Sequence, residues 1–230
     1  MARMVQRSFV LVPGAGGNPG YWQFVEPLIR QAGFASVGIS LPNWPGATFA
    51  DHANAIVAAA GQATDITLVA QSMGAFSAPL TCERLPVIEL VLLNAMIPAP
   101  GESAGDWWAN TGQAEAMRTN DQQEGRDPDA GFDPQTHFLH DLTPDVLGAL
   151  TGSGDEEPAD SLFATPFPLD RWPDVPTSVL AGRDDRFFPF EFQRRVAKDR
   201  LGLEVEQLPG GHLLAFSQPE ALVARLLRDL

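Results

Sequence analysis

Short apolar runs rich in β-branched residues alternate with longer amphipathic stretches along most of this 230-residue chain. This alternation is typical of a parallel sheet with helices on both faces, because successive parallel strands need a crossover connection between them. The sequence therefore predicts an α/β fold with a mostly parallel sheet flanked by helices. Six strands are predicted, at residues 7–12, 35–40, 65–70, 88–94, 176–181 and 203–208.

Helices are predicted between these strands, at residues 20–32, 47–62, 73–84, 190–200 and 217–229. The last should be capped by Ser217, with Pro219 in its first turn. The alternation stops between residues 99 and 174, where proline, glycine and acidic residues interrupt short helical pieces. We expect an inserted helical lid there, which divides the chain into core residues 1–98, lid residues 99–174 and core residues 175–230, with exposed loops at 124–131 and 154–160.

The formal net charge of −14 argues against nucleic acid or an anionic membrane surface as a partner, since both would repel the chain. Residues 99–170 hold 15 of the 29 acidic residues but only two basic ones, Arg118 and Arg126. The predicted lid thus carries most of the charge and should disfavour anionic substrates.

No run approaches the roughly 18 apolar residues of a membrane helix, and residues 1–9 contain no signal-peptide core, which predicts a cytoplasmic protein. The single cysteine, Cys82, and the four histidines lack zinc-ligand spacing. His137, His140 and Asp141 could be read as a metal cluster, but a helix-face or cap arrangement is favoured at this spacing. No metal and no cofactor are predicted.

Ser72 follows an apolar strand and precedes a predicted helix, in the stretch LVAQSMGA. A sharp strand-to-helix turn that exposes a serine nucleophile needs small residues two positions before and after it, and Ala70 and Gly74 meet that need. Ser72 could also be an ordinary helix-capping serine.

A serine nucleophile needs a base to take its proton and a carboxylate to orient that base. Asp184 and Asp185 follow the fifth predicted strand, and His212 lies in a glycine loop after the sixth. Each has a plainer interpretation as a turn former or a loop histidine. Because all three residue types follow separate strands in the order serine, aspartate, histidine, the sequence predicts a catalytic triad. Main-chain amides of Ala15, in the glycine loop after the first strand, and of Met73 should form the oxyanion hole.

These motifs together resemble the α/β-hydrolase superfamily across nearly the whole chain: VPGAGG with Trp22, AQSMG, GRDDRFFP, and GGH before the last helix. In that family the acid usually stands three residues after the glycine and four before the proline. The resemblance therefore implies Asp185, counted from Gly182 and Pro189, rather than Asp184. It also implies that no cofactor is needed.

Within the superfamily, the chain resembles the small methylesterase and hydroxynitrile-lyase branch, judging by its length, its Val-x-Gly-Ala-Gly start and its Leu-Asn-Ala-Met-Ile-Pro stretch. Pro13 replaces a histidine that is common before the oxyanion glycine. The lid contains no lysine, since Lys198 is the only one in the chain. Cyanohydrin cleavage in the similar lyases relies on a lid lysine, so the resemblance implies an esterase acting on a small, neutral, apolar ester.

Aromatic residues of the predicted lid, foremost Trp107 and Trp108, could line the substrate pocket, although such residues more often pack the lid against the core.

Two other classes of function remain. Gly14, Gly17 and Gly20 also fit a dinucleotide-binding loop, but the second strand ends without an acidic or basic residue to bind the ribose. The same fold also serves slow small-molecule receptors, and lactone or thioester hydrolysis would need the same residues.

Overall fold

The computed structural model describes residues 7–150, 157–228 and 230, and six strands form one sheet within them. The strands are β1 (Ser8–Val12), β2 (Ala35–Gly38), β3 (Ile66–Gln71), β4 (Val87–Leu93), β5 (Thr177–Gly182) and β6 (Val205–Leu208). All five neighbouring pairs are parallel. The predicted fold class and strands are confirmed, and the sheet is wholly rather than mostly parallel over the described residues. The carboxyl ends of the strands therefore lie along one edge.

The strand order is β2-β1-β3-β4-β5-β6, which places β1 between β2 and β3. In a dinucleotide-binding Rossmann sheet of order 3-2-1-4-5-6, the first strand instead borders the second and fourth. The topology therefore argues against the reductase alternative.

Helices cover both faces of the sheet. They are α1 (Val25–Gln31), α2 (Phe49–Ala60), α3 (Ala104–Thr111), α4 (Gln113–Gln123), α5 (Pro134–His137), α6 (Pro144–Leu150), α7 (Asp160–Ala164), α8 (Phe190–Leu201), α9 (Leu214–Ser217) and α10 (Pro219–Leu226). Short 3₁₀ helices lie at Pro19–Trp22, Ser72–Phe76 and Ala78–Thr81. None of the described helices is long and apolar enough to cross a membrane.

Alternate residues of a strand point to opposite faces of the sheet, and in the central strands β1 and β3 both sets are buried. Leu68 and Leu90 belong to a core that includes residues of α2 and α8, whereas Val69 and Val91 belong to a core that includes residues of α1 and α10. Burial on both faces explains why the strands are continuous apolar runs rather than alternating ones.

Two predicted helices are divided in the structure. The helix expected at 73–84 is two 3₁₀ helices, because Pro79 begins a new turn and cannot donate a main-chain hydrogen bond within a longer helix. The helix expected at 20–32 separates into a 3₁₀ helix at Pro19–Trp22 and α1.

The predicted cap of the last helix is wrong. Ser217 ends α9, and α10 begins at Pro219 after Gln218, whose side chain makes no capping hydrogen bond. The Ser217 hydroxyl has no hydrogen-bond partner among the described residues. Asp229, the end of the predicted helix, lies outside them.

The chain between β4 and β5 carries α3 to α7, and we call its residues 99–174 the intervening segment. Trp107 of α3 is fully buried and belongs to the same core as Phe192 of α8. The carboxylate of Glu102 accepts a hydrogen bond of 2.7 Å from Arg200 of α8. Residues 124–131 form turns as expected, whereas residues 154–156 of the second predicted loop lie outside the described residues, and Asp160 begins α7. The assignment of this segment as a lid stays a prediction.

Candidate active site

Ser72 lies directly after β3, at the carboxyl edge of the sheet. Its φ of +49° falls in the left-handed region, which non-glycine residues rarely adopt. A 3₁₀ helix begins at the same residue, so the chain turns sharply from strand into helix. This is the local geometry that presents a nucleophilic serine above the edge of a sheet.

Two glycines allow this turn to pack against the loop after β1. A Cβ at Gly74 would lie 2.6 Å from the carbonyl oxygen of Pro13, and a Cβ at Gly14 would lie 2.9 Å from Ser72 Cβ. Neither contact is sterically possible for a larger residue without movement of the main chain or of Ser72. The glycine two positions after the serine is therefore required by packing between the two loops.

His212 and Asp185 are brought together from loops that follow β6 and β5. The Nδ1 atom of His212 lies 2.9 Å from Asp185 Oδ2, and both side chains are buried. Asp185 Oδ1 accepts hydrogen bonds from the main-chain amides of Phe187 and Phe188, at 2.9 and 2.8 Å. These donors fix the carboxylate, so that its other oxygen faces the imidazole.

Asp184 is directed away from His212. Its carboxylate accepts two hydrogen bonds of 3.0 Å from the exposed Arg183 and one of 3.3 Å from the amide of Gly210. The hydrogen bond from Arg183 holds the pKa of Asp184 below its ordinary value. Of the two candidate acids, the structure brings only Asp185 to the histidine.

The remaining nitrogen of His212 faces a residue that the sequence analysis did not consider. Nε2 lies 3.4 Å from the side-chain nitrogen of Gln71, whereas the Ser72 hydroxyl makes no hydrogen bond within the described part of the chain. Because Nδ1 donates to Asp185, the neutral imidazole presents a lone pair at Nε2 toward the Gln71 amide. The position of Gln71 directly before Ser72 was a signal of this proximity.

The predicted oxyanion residues each follow one of the two residues that approach closely at this turn, Gly14 and Ser72. Ala15 comes directly after Gly14, and Met73 comes directly after Ser72 and is almost fully buried. Their loops are therefore adjacent at the carboxyl edge of the sheet. Their role as amide donors to an oxyanion stays a prediction.

A model of the α/β hydrolase family matches residues 9–226, nearly the whole chain. The chain belongs to the α/β hydrolase family. It is 26% identical over 249 aligned positions to the α/β hydrolase nvfD of Aspergillus novofumigatus, covering 98% of this chain and 97% of that one.

Solved structures similar to this α/β hydrolase include polyneuridine aldehyde esterase, with a TM-score of 0.73 and 20% identity over 96% of this chain and 98% of the esterase. They also include a methylesterase from Arabidopsis, with a TM-score of 0.71 and 18% identity over 96% of this chain and 97% of that protein. The predicted resemblance to the methylesterase branch is confirmed.

Aromatic rings surround His212 in this α/β hydrolase. Phe138, directly after α5, stacks on the imidazole with ring centroids 4.8 Å apart. Phe187 and Phe188 meet the imidazole edge-on, at 5.3 and 4.9 Å. The sequence analysis did not identify Phe187 or Phe188 as neighbours of His212, although they lie in the same GRDDRFFP stretch as Asp185.

The two tryptophans predicted to contact substrate occupy different environments. Trp107 is fully buried, and its indole nitrogen donates to the carbonyl oxygen of Ile97 at 3.0 Å. Trp108 is half-buried and packs against Phe187 and Phe188. Both tryptophans therefore contact Phe188, and they differ in exposure, since Trp107 is enclosed in the core and Trp108 is only half-buried. A substrate-binding role of either residue stays a prediction.

In the intervening segment of this α/β hydrolase, His137 and Asp141 make hydrogen bonds that join distant parts of the chain. His137 lies at the end of α5, with Nδ1 at the main chain of Asp133 and Nε2 3.2 Å from Asp121. Asp141 accepts a hydrogen bond of 2.6 Å from the amide of Gly211, next to His212. Burial lowers the pKa of His140 from its ordinary value, and the nearby Arg186 lowers it further. These contacts are structural, and one of them reaches the loop that carries His212.

Proposed function

We propose that this chain is a serine hydrolase that cleaves a small, neutral, apolar ester through an acyl-enzyme, with Ser72, His212 and Asp185 as catalytic residues. The observation that carries the proposal is the contact of 2.9 Å between buried His212 and Asp185, at the same sheet edge as a serine with φ of +49°. A base oriented by a carboxylate is the arrangement that activates a serine hydroxyl at neutral pH.

In the proposed reaction, Ser72 Oγ bonds to the acyl carbon while Nε2 of His212 takes the hydroxyl proton. The negative charge that develops on the carbonyl oxygen is stabilised by the amides of Ala15 and Met73. The bond to the alcohol oxygen then breaks, and the alcohol leaves with the proton from His212. Water attacks the acyl-enzyme with His212 again as base, which releases the acid and restores Ser72.

The proposal requires a local rearrangement before attack. The Gln71 amide faces Nε2 of His212, and the Ser72 hydroxyl is not hydrogen-bonded within the described residues. Attack requires the Ser72 hydroxyl, in place of the Gln71 amide, to donate to Nε2 of His212. Catalytic hydrogen bonds are often long or incomplete without substrate and tighten in the substrate complex.

An apolar, uncharged substrate is supported by the surroundings of His212. Phe138, Phe187 and Trp108 present half-buried aromatic surface there, and such surface binds apolar groups. The excess of acidic residues in the intervening segment would repel an anionic ester. The two similar structures named above are both esterases, which supports an ester as the substrate. A cytoplasmic location stays part of the same proposal.

Hydrolysis of p-nitrophenyl esters from acetate to octanoate tests the proposal. We expect release of p-nitrophenol by the wild-type protein and its loss in Ser72→Ala, because no other group supplies the nucleophile. Stoichiometric labelling of Ser72 by a fluorophosphonate, located by peptide mass spectrometry, provides a second readout. A wild-type protein that hydrolyses none of these esters and resists the label would overturn the proposal.

A slow small-molecule receptor is the second candidate, favoured by the contact between Gln71 and Nε2 of His212, which occupies the atom that must accept the serine proton. A receptor would bind ligand tightly and turn over slowly, whereas a hydrolase would release product rapidly. Pre-steady-state kinetics with p-nitrophenyl esters separates them, since a burst without further turnover indicates a trapped acyl-enzyme. Lactone and thioester hydrolysis require the same residues and are tested by substrate exchange.

A further inference from the structure

Asn94 occupies an unusual position at the end of β4. It is fully buried, and its φ of +44° lies in the left-handed region. Its main-chain amide donates to the carbonyl oxygen of Leu180 and so extends the pairing of β4 with β5 by one residue. Asparagine tolerates this conformation better than most residues, but a fully buried side-chain amide is costly unless its polar atoms are all paired.

The Asn94 side chain pairs its polar atoms with the end of β5 and with the loop after β6. Its Nδ2 atom donates to the carbonyl oxygens of Gly211 and His212, at 3.1 and 2.9 Å. Its Oδ1 atom accepts the amide of Gly182 at 2.8 Å. Both side-chain N–H groups and the oxygen are therefore used. An amide of this size can donate two hydrogen bonds and accept one at the same time. Neither a carboxylate nor a hydroxyl can provide these two donors together with an acceptor.

These partners lie in the loop that carries the proposed base and at the end of the strand that precedes the proposed acid. Gly182 ends β5, three residues before Asp185, and His212 is bonded through its own carbonyl oxygen. On the acid side, Gln193 of α8 donates to Asp185 Oδ2 at 3.3 Å and to the carbonyl oxygen of Phe188 at 2.7 Å. Hydrogen bonds to the main chain near His212 and near Asp185 thus hold the two residues in place.

We propose that Asn94 is a positioning residue, whose side-chain amide fixes the main chain of the His212 loop against the end of β5 so that the His212–Asp185 hydrogen bond is formed before substrate binds. This inference rests on the proposed function. Asn94 contacts neither the substrate nor the Ser72 hydroxyl in this scheme and acts only through His212 and Asp185. A small displacement of the base would therefore lower the rate of the chemical step without weakening substrate binding.

The Asn94→Gly variant tests the proposal, because glycine accepts the positive φ and the side-chain amide is removed with its hydrogen bonds. Asp65→Gly is the matched control, since Asp65 has a φ of +49° but lies before β3, at the opposite end of that strand. We expect kcat for p-nitrophenyl butyrate to fall about 10- to 100-fold in Asn94→Gly, with KM changed less than about twofold. The kcat of Asp65→Gly should stay at the wild-type value. A kcat equal to that of the wild-type protein in Asn94→Gly would overturn the proposal.

A spectroscopic readout does not depend on turnover. A proton held between His212 Nδ1 and Asp185 gives a proton resonance downfield of the main-chain amides, which is assigned by its disappearance in His212→Gln. We expect this resonance to be broadened or lost in Asn94→Gly and retained in Asp65→Gly. Its retention unchanged in Asn94→Gly would contradict the positioning role.

The two readouts separate the two proposals. A wild-type protein that neither hydrolyses the esters nor takes the fluorophosphonate label refutes the proposed function, whereas the resonance still tests whether Asn94 holds the His212–Asp185 pair. If Asn94→Gly shows no cooperative thermal transition, Asn94→Asp replaces it, because that variant keeps an acceptor for the Gly182 amide. The ionised carboxylate of this variant donates no hydrogen bond to the carbonyl oxygens of Gly211 and His212. We therefore expect a lower kcat and a weaker resonance of the proton between His212 and Asp185. Wild-type values of both in a folded Asn94→Asp protein would overturn the proposal.

Discussion

The ring of Phe138 lies almost parallel to the imidazole of His212, with centroids 4.8 Å and planes 12° apart. A stacked apolar ring excludes water from one face of the imidazole and restricts its rotation. Phe138 belongs to the intervening segment and His212 to the loop after β6, so the contact joins two parts of the chain that are distant in sequence.

We predict that Phe138→Ala lowers kcat/KM for p-nitrophenyl butyrate about 2- to 10-fold, which corresponds to the roughly 0.5–1.5 kcal/mol of an aromatic pair. Phe132→Ala is the control, because Phe132 packs on Phe138 at 5.0 Å and is 46% exposed. It removes a ring of the same cluster while Phe138 stays on His212. Equal losses in the two variants would show that stacking on His212 has no special role.

The adjacent aspartates provide a second comparison. We expect Asp185→Asn to lower kcat about 10⁴-fold, because an amide can donate to Nδ1 and so stabilise the wrong imidazole tautomer. Asp184→Asn should change kcat by less than about threefold, since Asp184 pairs with exposed Arg183. Steady-state kinetics on both variants checks this, and the reverse ranking would assign the acid to Asp184.

The buried His52 predicts a loss of stability in acid. Nε2 donates to the carbonyl oxygen of Pro42, and Nδ1 lies 2.9 Å from the Ser77 hydroxyl, which donates to it when the imidazole is neutral. Burial lowers its pKa below the ordinary value of 6.5. A lowered folded-state pKa means that protonation favours unfolding, so this stability is complete above the ordinary pKa and falls as the pH drops toward the lowered value.

The measurement is the free energy of unfolding in urea between about pH 8 and pH 5 for the wild-type protein and His52→Gln. The wild-type curve should fall more steeply below the ordinary pKa, by up to about 1.4 kcal/mol per pH unit, than that of the variant. His140, whose pKa is also lowered by burial, contributes to both curves and cancels in the comparison. Parallel curves would exclude His52 as the source.

The strands and the residues next to them were predictable because each is specified by local sequence. The apolar run before Ser72 predicted β3, and Asp185 and His212 each follow a strand of their own. The sequence offered one sign that the helix expected at 73–84 would be divided, which is Pro79. The effect of this proline depends on how the turn at Ser72 packs.

Contacts between loops were not predictable from periodicity. Asn94 lies more than a hundred residues before His212, and Gln71 faces the same imidazole from the end of a different strand. Such pairs form only when parallel strands bring their carboxyl ends to one edge. Trp107 packs in the main core, which was the plainer of the two interpretations that the sequence allowed for aromatic residues of the predicted lid.

The hydrogen bond from the Gly211 amide to Asp141 has a consequence for engineering. A chimera that exchanges residues 99–174 for the corresponding piece of another relative removes the acceptor of an amide next to His212. The incoming piece must therefore supply a carboxylate or carbonyl oxygen at the same point, together with an indole or similar volume to replace Trp107. A change of specificity in this fold therefore requires that the contacts between the exchanged segment and the core are kept, in addition to new residues at the pocket surface.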